Sequence, residues 1–258
     1  MLDLLFDLPA LGQLLVVSLV GLATLAISFV WLGLLHRRFA TSPKLLPVGP
    51  AFAPVATVFA LFLAFLAADV WLQQRQASEA ALKESLAFQQ LADLIRPDAL
   101  NAPQAVPLLA RYRSAVLREE WQSDFNRQAS PAAAGALRDL RVQAGSLSRV
   151  GASGPLVSEW LHSVRDLEDA RARRLLIGSD HTDNNQWTVV LVLALFAHLV
   201  IAASHLDRPP AGRLTLVLFS LATSLALWQL AMHTNPYNGG VTRIDLRLAA
   251  VPSAAAEP

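Results

Sequence analysis

Few side chains in this 258-residue sequence could do chemistry, and several lie in or beside long apolar runs. Asp69 is the most informative of them. It closes a series, Phe52, Val55, Phe59, Phe62, Leu66 and Asp69, whose steps of three and four residues place all of them on one face of a helix. A carboxylate inside a membrane span costs roughly 2.5–3.5 kcal/mol at the bilayer centre and less near an end. Such a stripe could line a pore constriction that gates by dewetting, with Asp69 at its mouth drawing cations. The same phenylalanines could equally face lipid or protein, with Asp69 in interfacial water. His198 lies in a later apolar run, and His205 follows seven residues on, on roughly the same face. Chelating pairs on a helix sit four apart, so a shared metal is not expected. Titration near neutrality makes His198 a pH-sensing candidate, set against the plainer reading of an interhelical hydrogen bond. Glu119, Glu120, Arg171 and Arg174, with Arg173 between, could pair within a bundle, face solvent or meet lipid phosphate. Asp180-His181-Thr182-Asp183 has the residue types of a hard-metal site, but polar loops often read this way and no metal is expected.

Several function classes drop out. The sequence has no cysteine, which removes disulfides, thiolate metal sites, cysteine nucleophiles and a lipoprotein anchor. Gly-rich phosphate loops, zinc-ligand spacings and Ser-His-Asp elbows are absent, so neither an enzyme nor a cofactor is expected. A formal net charge of +1 argues against a nucleic-acid partner.

The elements that must position these residues are membrane helices. Charged residues make up 16% of the sequence, against about 25% in a typical soluble domain. They gather in the middle of the chain. Leu11 to Leu35 contains no ionisable residue, and Phe52 to Leu72, Trp187 to Leu206 and Leu214 to Met232 are comparably apolar. A helix needs roughly 20 such residues to cross the hydrocarbon core, and only helices satisfy their own backbone there. The segment before the first span is short and acidic (Asp3, Asp7), unlike a secretory signal, so that helix is expected to be retained. Pro50 and Pro54 mark the start of the second span, and Trp187 reads as an interface anchor of the third.

Loop charge bears on orientation. Arg37, Arg38 and Lys44 follow the first span, and Arg208 and Arg213 follow the third. The opposite side has Arg243 and Arg247 in the tail. Counted this way, the short loops face the cytoplasm and both termini lie outside, with Arg171, Arg173 and Arg174 as basic residues on the outer side.

Residues 73–186 contain 14 basic and 14 acidic side chains and read as a soluble helical bundle. Helical spacing covers Gln73 to Ile95 as a continuation of the second span, then Ala105 to Phe125, Pro131 to Val150 and Pro155 to Ile177. Pro97, Pro103, Gly151 and Gly154 lie in the breaks. The expected organisation is a transmembrane pair over 1–72, the bundle over 73–186, a second pair over 187–232 and a tail over 233–258. Pro252 to Pro258 reads as disordered. The fold class is all-α, integral to the membrane.

Several motifs share their order with one family. They are Val58-Phe59-Ala60-Leu61-Phe62-Leu63-Ala64-Phe65 running to Val70-Trp71, then Glu79-Ala80-Ala81-Leu82, Arg111-Tyr112 and Glu119-Glu120-Trp121. Arg171 to Leu175 precedes the third span, and the turn Asn235-Pro236-Tyr237-Asn238-Gly239 follows the fourth. Over nearly its whole length the chain resembles the bestrophin-like domain family of mainly bacterial membrane proteins. It departs at Gln122, where a proline is expected, and at Thr234, where an acid is expected. The resemblance implies kinship with bestrophins, which are oligomeric anion channels with their large region in the cytoplasm. That placement is opposite to the one loop charge favours. On resemblance, Glu120 and Arg174 are the preferred ion pair.

The expectation is therefore a homo-oligomer in the bacterial inner membrane, with the lipid bilayer and inorganic ions as partners and the second span lining the path. The reading from another class is a non-conducting sensor or scaffold that binds a partner through its bundle. A permease-type transporter fits less well, since no paired Gly/Pro-broken spans occur.

Overall fold

The computed structural model describes residues 3–39, 49–121, 125–179 and 184–238. Those residues form helices joined by turns: α1 (Asp3–Phe6), α2 (Ala10–Phe39), α3 (Gly49–Leu94), α4 (Val106–Ala115), α5 (Pro131–Arg149), α6 (Gly154–Ser179), α7 (Asn184–Ser204) and α8 (Pro209–Thr234). A 3-10 turn, Pro103–Ala105, leads into α4, and a π-helical stretch, Val116–Trp121, follows it. Lys44, Gln122, Asp180, His181, Thr182, Asp183 and residues 239–258, with Gly239, Gly240, Arg243 and Arg247 among them, lie outside the described residues. The chain divides into two compact units, Met1–Leu72 with His181–Asn235, and Gln73–Asp180 with Pro236–Pro258.

The first unit is the membrane unit. Among the described residues, four helices are long and apolar enough to cross a bilayer: Ala10–Phe39, Phe52–Leu94, Asn185–Ser204 and Pro209–Thr234. At 1.5 Å per residue, the 30 residues of α2 span about 45 Å, more than the roughly 30 Å hydrocarbon core. Packing is intimate where side chains are small. Ser220 Oγ donates to the Gly21 carbonyl at 3.2 Å, and a Cβ on Gly21 would collide with Ser224 Oγ. Val17, Leu66, Val190 and Leu227 fill one end of the interior, and Leu32, Ile201 and Leu216 the other. Outward, Leu11, Leu15, Leu19 and Leu22 are exposed along α2. Such a face would promote association in water and is what lipid requires.

Three details differ from the sequence reading. Trp187 is no surface anchor: it is 2% exposed, and its ring lies 5.0 Å from that of Phe6. Gln13 explains this, because its Nε2 donates to the Phe6 and Leu8 carbonyls and pins the turn between α1 and α2. α3 begins at Gly49, so Pro54 falls inside the helix, where it removes one ladder bond. The helix of the third span ends at Ser204, short of Leu206.

In the second unit α4 packs on α5 and α5 on α6. The later part of α3 joins them around a core that includes Phe88, Leu91, Leu109, Leu140, Trp160 and Leu167. Trp160 is fully buried and spends its Nε1–H on the Leu140 carbonyl at 2.9 Å. The helix expected through Phe125 does not run that far. It widens to π geometry at Val116 and ends at Trp121, while Phe125 and Asn126 take left-handed φ values of 48° and 62°. Ser130 then starts α5 as its N-cap, accepting from the Ala133 N–H at 3.0 Å, with Pro131 behind it.

Candidate functional site

Two sets of polar residues stand out, one in each unit. The first is a buried ion network in the second unit. Ala77, Ala81, Phe88 and Leu91 form a buried stripe on α3, and Glu84 sits on that stripe with no exposure. Trp160, Val164 and Leu167 form its counterpart on α6, which continues into Arg171 and Arg174. Burying these charges singly would be prohibitive; together they satisfy one another. Arg174 donates from Nε to Glu84 Oε2 at 2.5 Å, from Nη2 to Glu84 Oε1 at 3.0 Å and from Nη2 to Glu120 Oε2 at 2.7 Å. Its Nη1 donates to Asn126 Oδ1. Arg171 donates to Glu120 Oε1 from Nε at 3.1 Å and Nη2 at 2.5 Å, and from Nη2 to the Ser130 carbonyl at 3.2 Å. Tyr112 adds its hydroxyl to Glu84 Oε1 at 2.7 Å, and the Ser130 N–H donates to Glu120 Oε1 at 2.9 Å.

Two carboxylates thus face two guanidiniums, and each of the four carboxylate oxygens accepts at least one hydrogen bond. Burial disfavours the charge on Arg174, but the adjacent Glu84 carboxylate outweighs it and holds the pKa above the ordinary guanidinium range. Burial, reinforced by the Glu84 charge, pushes the Tyr112 phenol well up. Saturation of this kind suits a rigid joint between helices better than proton transfer or metal binding, which need a spare lone pair.

The surrounding geometry makes the joint possible. The wide π turn leaves Glu120 buried and its neighbour Glu119 exposed, where Glu119 Oε2 accepts from the Ser130 hydroxyl at 2.5 Å. Gly178 lets α6 pass the left-handed Asn126 loop: a Cβ there would lie 2.7 Å from the Asn126 carbonyl carbon. Tyr237 is 5% exposed, its ring edge-on to Trp121 at 5.2 Å and its hydroxyl 3.4 Å from the Arg174 carbonyl, to which it donates. Burial raises its pKa too, with the Arg174 charge opposing. Pro236 is buried beside it in sequence, and Asn235, at the end of the membrane unit, donates to Asp7 Oδ1 at 3.2 Å. Thr234, at the second family departure, bonds back to the Leu230 carbonyl within α8.

Sequence reasoning named Glu120, Arg171 and Arg174 but passed over Glu84, Asn126 and Gly178. Glu84 had a readable signal, since it interrupts the apolar stripe of α3. The other two had none, because their importance arises only where α6 meets the loop.

The second set lies on α3 in the membrane unit. The structure divides the stripe that spacing put on one face. Phe59 and Leu66 are buried with Val70, and Phe59 meets Phe219 edge-on at 6.0 Å. Phe52, Phe62 and Asp69 are exposed, Val55 is half-buried, and Phe62 pairs with the exposed Phe65 at 6.5 Å. Asp69 Oδ2 accepts from Gln186 Nε2 at 2.9 Å, which ties α3 to α7.

His198 does not make the interhelical bond expected of it. His198 Nδ1 donates to the Ala194 carbonyl at 2.7 Å, and His205 Nδ1 to the Ile201 carbonyl at 2.9 Å, both within α7 or its end. The ring of His198 rests edge-on to Phe219 at 4.7 Å.

No curated protein matches the sequence. The fold is similar to that of a bacterial bestrophin homologue from Klebsiella pneumoniae, solved as an aspartate-to-alanine variant. The TM-score is 0.66 at 14% identity, covering 87% of this chain and 92% of that one. It is similar also to two proline-to-alanine variants described only as a membrane protein. Those give TM-scores of 0.69 and 0.68 at 15% identity, covering 89% and 91% of this chain and 93% of each of theirs. The family model for the bestrophin-like domain matches residues 16–242, and the chain belongs to that family.

Proposed function

We propose that this protein is an ion channel, formed by identical subunits around a path lined by the exposed face of α3. The observation that carries the reading is the division of α3 within its span. Phe59, Leu66 and Val70 are spent on packing inside the chain, whereas Leu61, Phe62, Phe65 and Asp69 remain uncovered by it. The four spans among the described residues do not enclose a wide conduit, so the path requires several copies. Membership in the bestrophin-like family supports this, as bestrophins are oligomeric channels.

Mass measurement of the detergent-purified protein tests the assembly. A ring of subunits is expected, and a monomer would sink the channel reading in favour of a sensor or scaffold. Planar bilayers test the path. Phe62→Ala should raise conductance, while Phe59→Ala, which loses its contact with Phe219, should act mainly on stability. Asp69 at the mouth should favour cations, so Asp69→Asn should move the reversal potential in asymmetric salt toward the anion side. Unchanged conductance in Phe62→Ala and unchanged reversal in Asp69→Asn would remove α3 from the path.

Orientation follows from loop charge in this reading, with the termini outside and the short loops inside a bacterial inner membrane. Arg171 and Arg174 support it, being neutralised by Glu84 and Glu120 rather than free at the membrane surface. The absence of cysteine makes the test simple. Single cysteines at Arg208 and at Ser153 should react with an impermeant maleimide from the cytoplasmic and outer sides respectively, and the reverse pattern would overturn the assignment.

A further inference from the structure

The geometry points to Gln186 as a positioning residue for Asp69, one that fixes the carboxylate where the α3 path would meet a cation. This rests on the channel reading above and adds to it a residue of α7 that sets ion selectivity. Gln186 Nε2 donates to Asp69 Oδ2 at 2.9 Å, across 117 positions of chain. A carboxylate accepts and does not donate, so the amide turns its NH2 group, not its oxygen, toward Asp69.

Both partners stand on fixed backbone. Asp69 is followed by Val70 and Gln186 by Trp187, and those two buried side chains belong with Phe6 to one apolar cluster. The Trp187 ring lies 5.0 Å from that of Phe6, and Gln13 Nε2 holds the Phe6 carbonyl. α3 and α7 cannot slide past each other at this level without opening the cluster. The hydrogen bond itself joins an exposed carboxylate to a half-buried amide, where water competes, so it adds little stability. What it decides is where the charge sits.

The chemistry of the partner matters. Among the described residues Asp69 is held by a neutral amide and by no cation. A lysine or arginine in that place would cancel the charge, whereas an amide orders the carboxylate and leaves its charge whole. Oδ2 is engaged, which leaves Oδ1 as the oxygen able to meet an ion that sheds part of its water. A carboxylate held in one rotamer before the ion arrives spares the cost of ordering it then.

Reversal potentials of the full chain in planar bilayers, in asymmetric salt, test this through Gln186→Met, Gln186→Asn, Asp69→Asn and the doubles. Methionine keeps the side-chain length and removes the donor; asparagine keeps the amide one methylene short of its partner. Each should lower the cation-to-anion permeability ratio about two- to tenfold, the cost of ordering one freed side chain. In the Asp69→Asn background neither should change the ratio further, because no carboxylate is left to place. Loss of a mere tie between α3 and α7 would act alike in both backgrounds. A wild-type ratio in both Gln186 variants, or an equal shift with and without Asp69, would overturn the positioning role. The channel reading would survive that result provided Asp69→Asn itself shifts the ratio. An unshifted ratio in Asp69→Asn would overturn both.

Discussion

Replacing Arg174 by methionine removes the centre of the ion network while keeping much of the side-chain volume. The guanidinium serves both Glu84 and Glu120, through three charge-assisted bonds of 2.5, 3.0 and 2.7 Å, and reaches Asn126 with its remaining arm. Breaking a buried pair by deleting one partner costs about 3–5 kcal/mol, because the other charge is stranded. Here the loss strands Glu84, which has no second cation in the network, so a cost near the top of that range, about 5 kcal/mol, is expected. Arg174→Lys retains the charge but not the fork, and should lose about 2–3 kcal/mol, on the order of one charge-assisted bond. Glu84→Gln combined with Arg174→Met should recover part of the loss, giving a coupling of about 1–3 kcal/mol in a double-mutant cycle. Reversible unfolding in mixed micelles, followed by far-UV dichroism, measures each value. An Arg174→Met protein within about 0.5 kcal/mol of wild type would refute the view that these charges depend on one another.

Gly178→Ala should destabilise by about 1–3 kcal/mol in the same assay, since the methyl group would meet the Asn126 backbone; an unchanged midpoint would mean that the loop yields freely. Ser130→Ala removes an N-cap and should cost about 0.5–2 kcal/mol, read as earlier loss of protection in hydrogen exchange at the start of α5. Tyr112 and Tyr237 both have raised pKa values, so the folded state holds their protons more tightly than the unfolded chain does. Their stabilising contribution is complete below pH 10, the ordinary tyrosine value, and declines as pH rises beyond it. Tyr112→Phe should flatten that alkaline decline in a stability profile from pH 8 to pH 12, and a slope identical to wild type would exclude Tyr112 as its source. Trp160→Phe leaves the Leu140 carbonyl without its donor and should cost about 1–3 kcal/mol in thermal melts.

The sequence by itself determined the solvent. Long runs without charge can satisfy their backbone in lipid only as helices, so the all-α membrane class and the family followed from composition and motif order alone. Helical spacing also located much of the bundle core, because Leu137, Leu140, Ala144 and Leu147 need only one helix to define a face. What spacing could not decide was which neighbour a face meets. Phe59 and Phe62 are equivalent as residues and nearly so in phase, yet one packs on Phe219 and the other stays uncovered, since other helices cover only part of α3. Trp187 looked like an interface residue until α1 folded Phe6 onto it. The ion network is the clearest case. Glu84 and Arg174 lie 90 positions apart, and each alone is a charge on an apolar stripe, an apparent fault in the pattern. Only packing brings the two stripes together, and the low dielectric between them turns two costly charges into one joint.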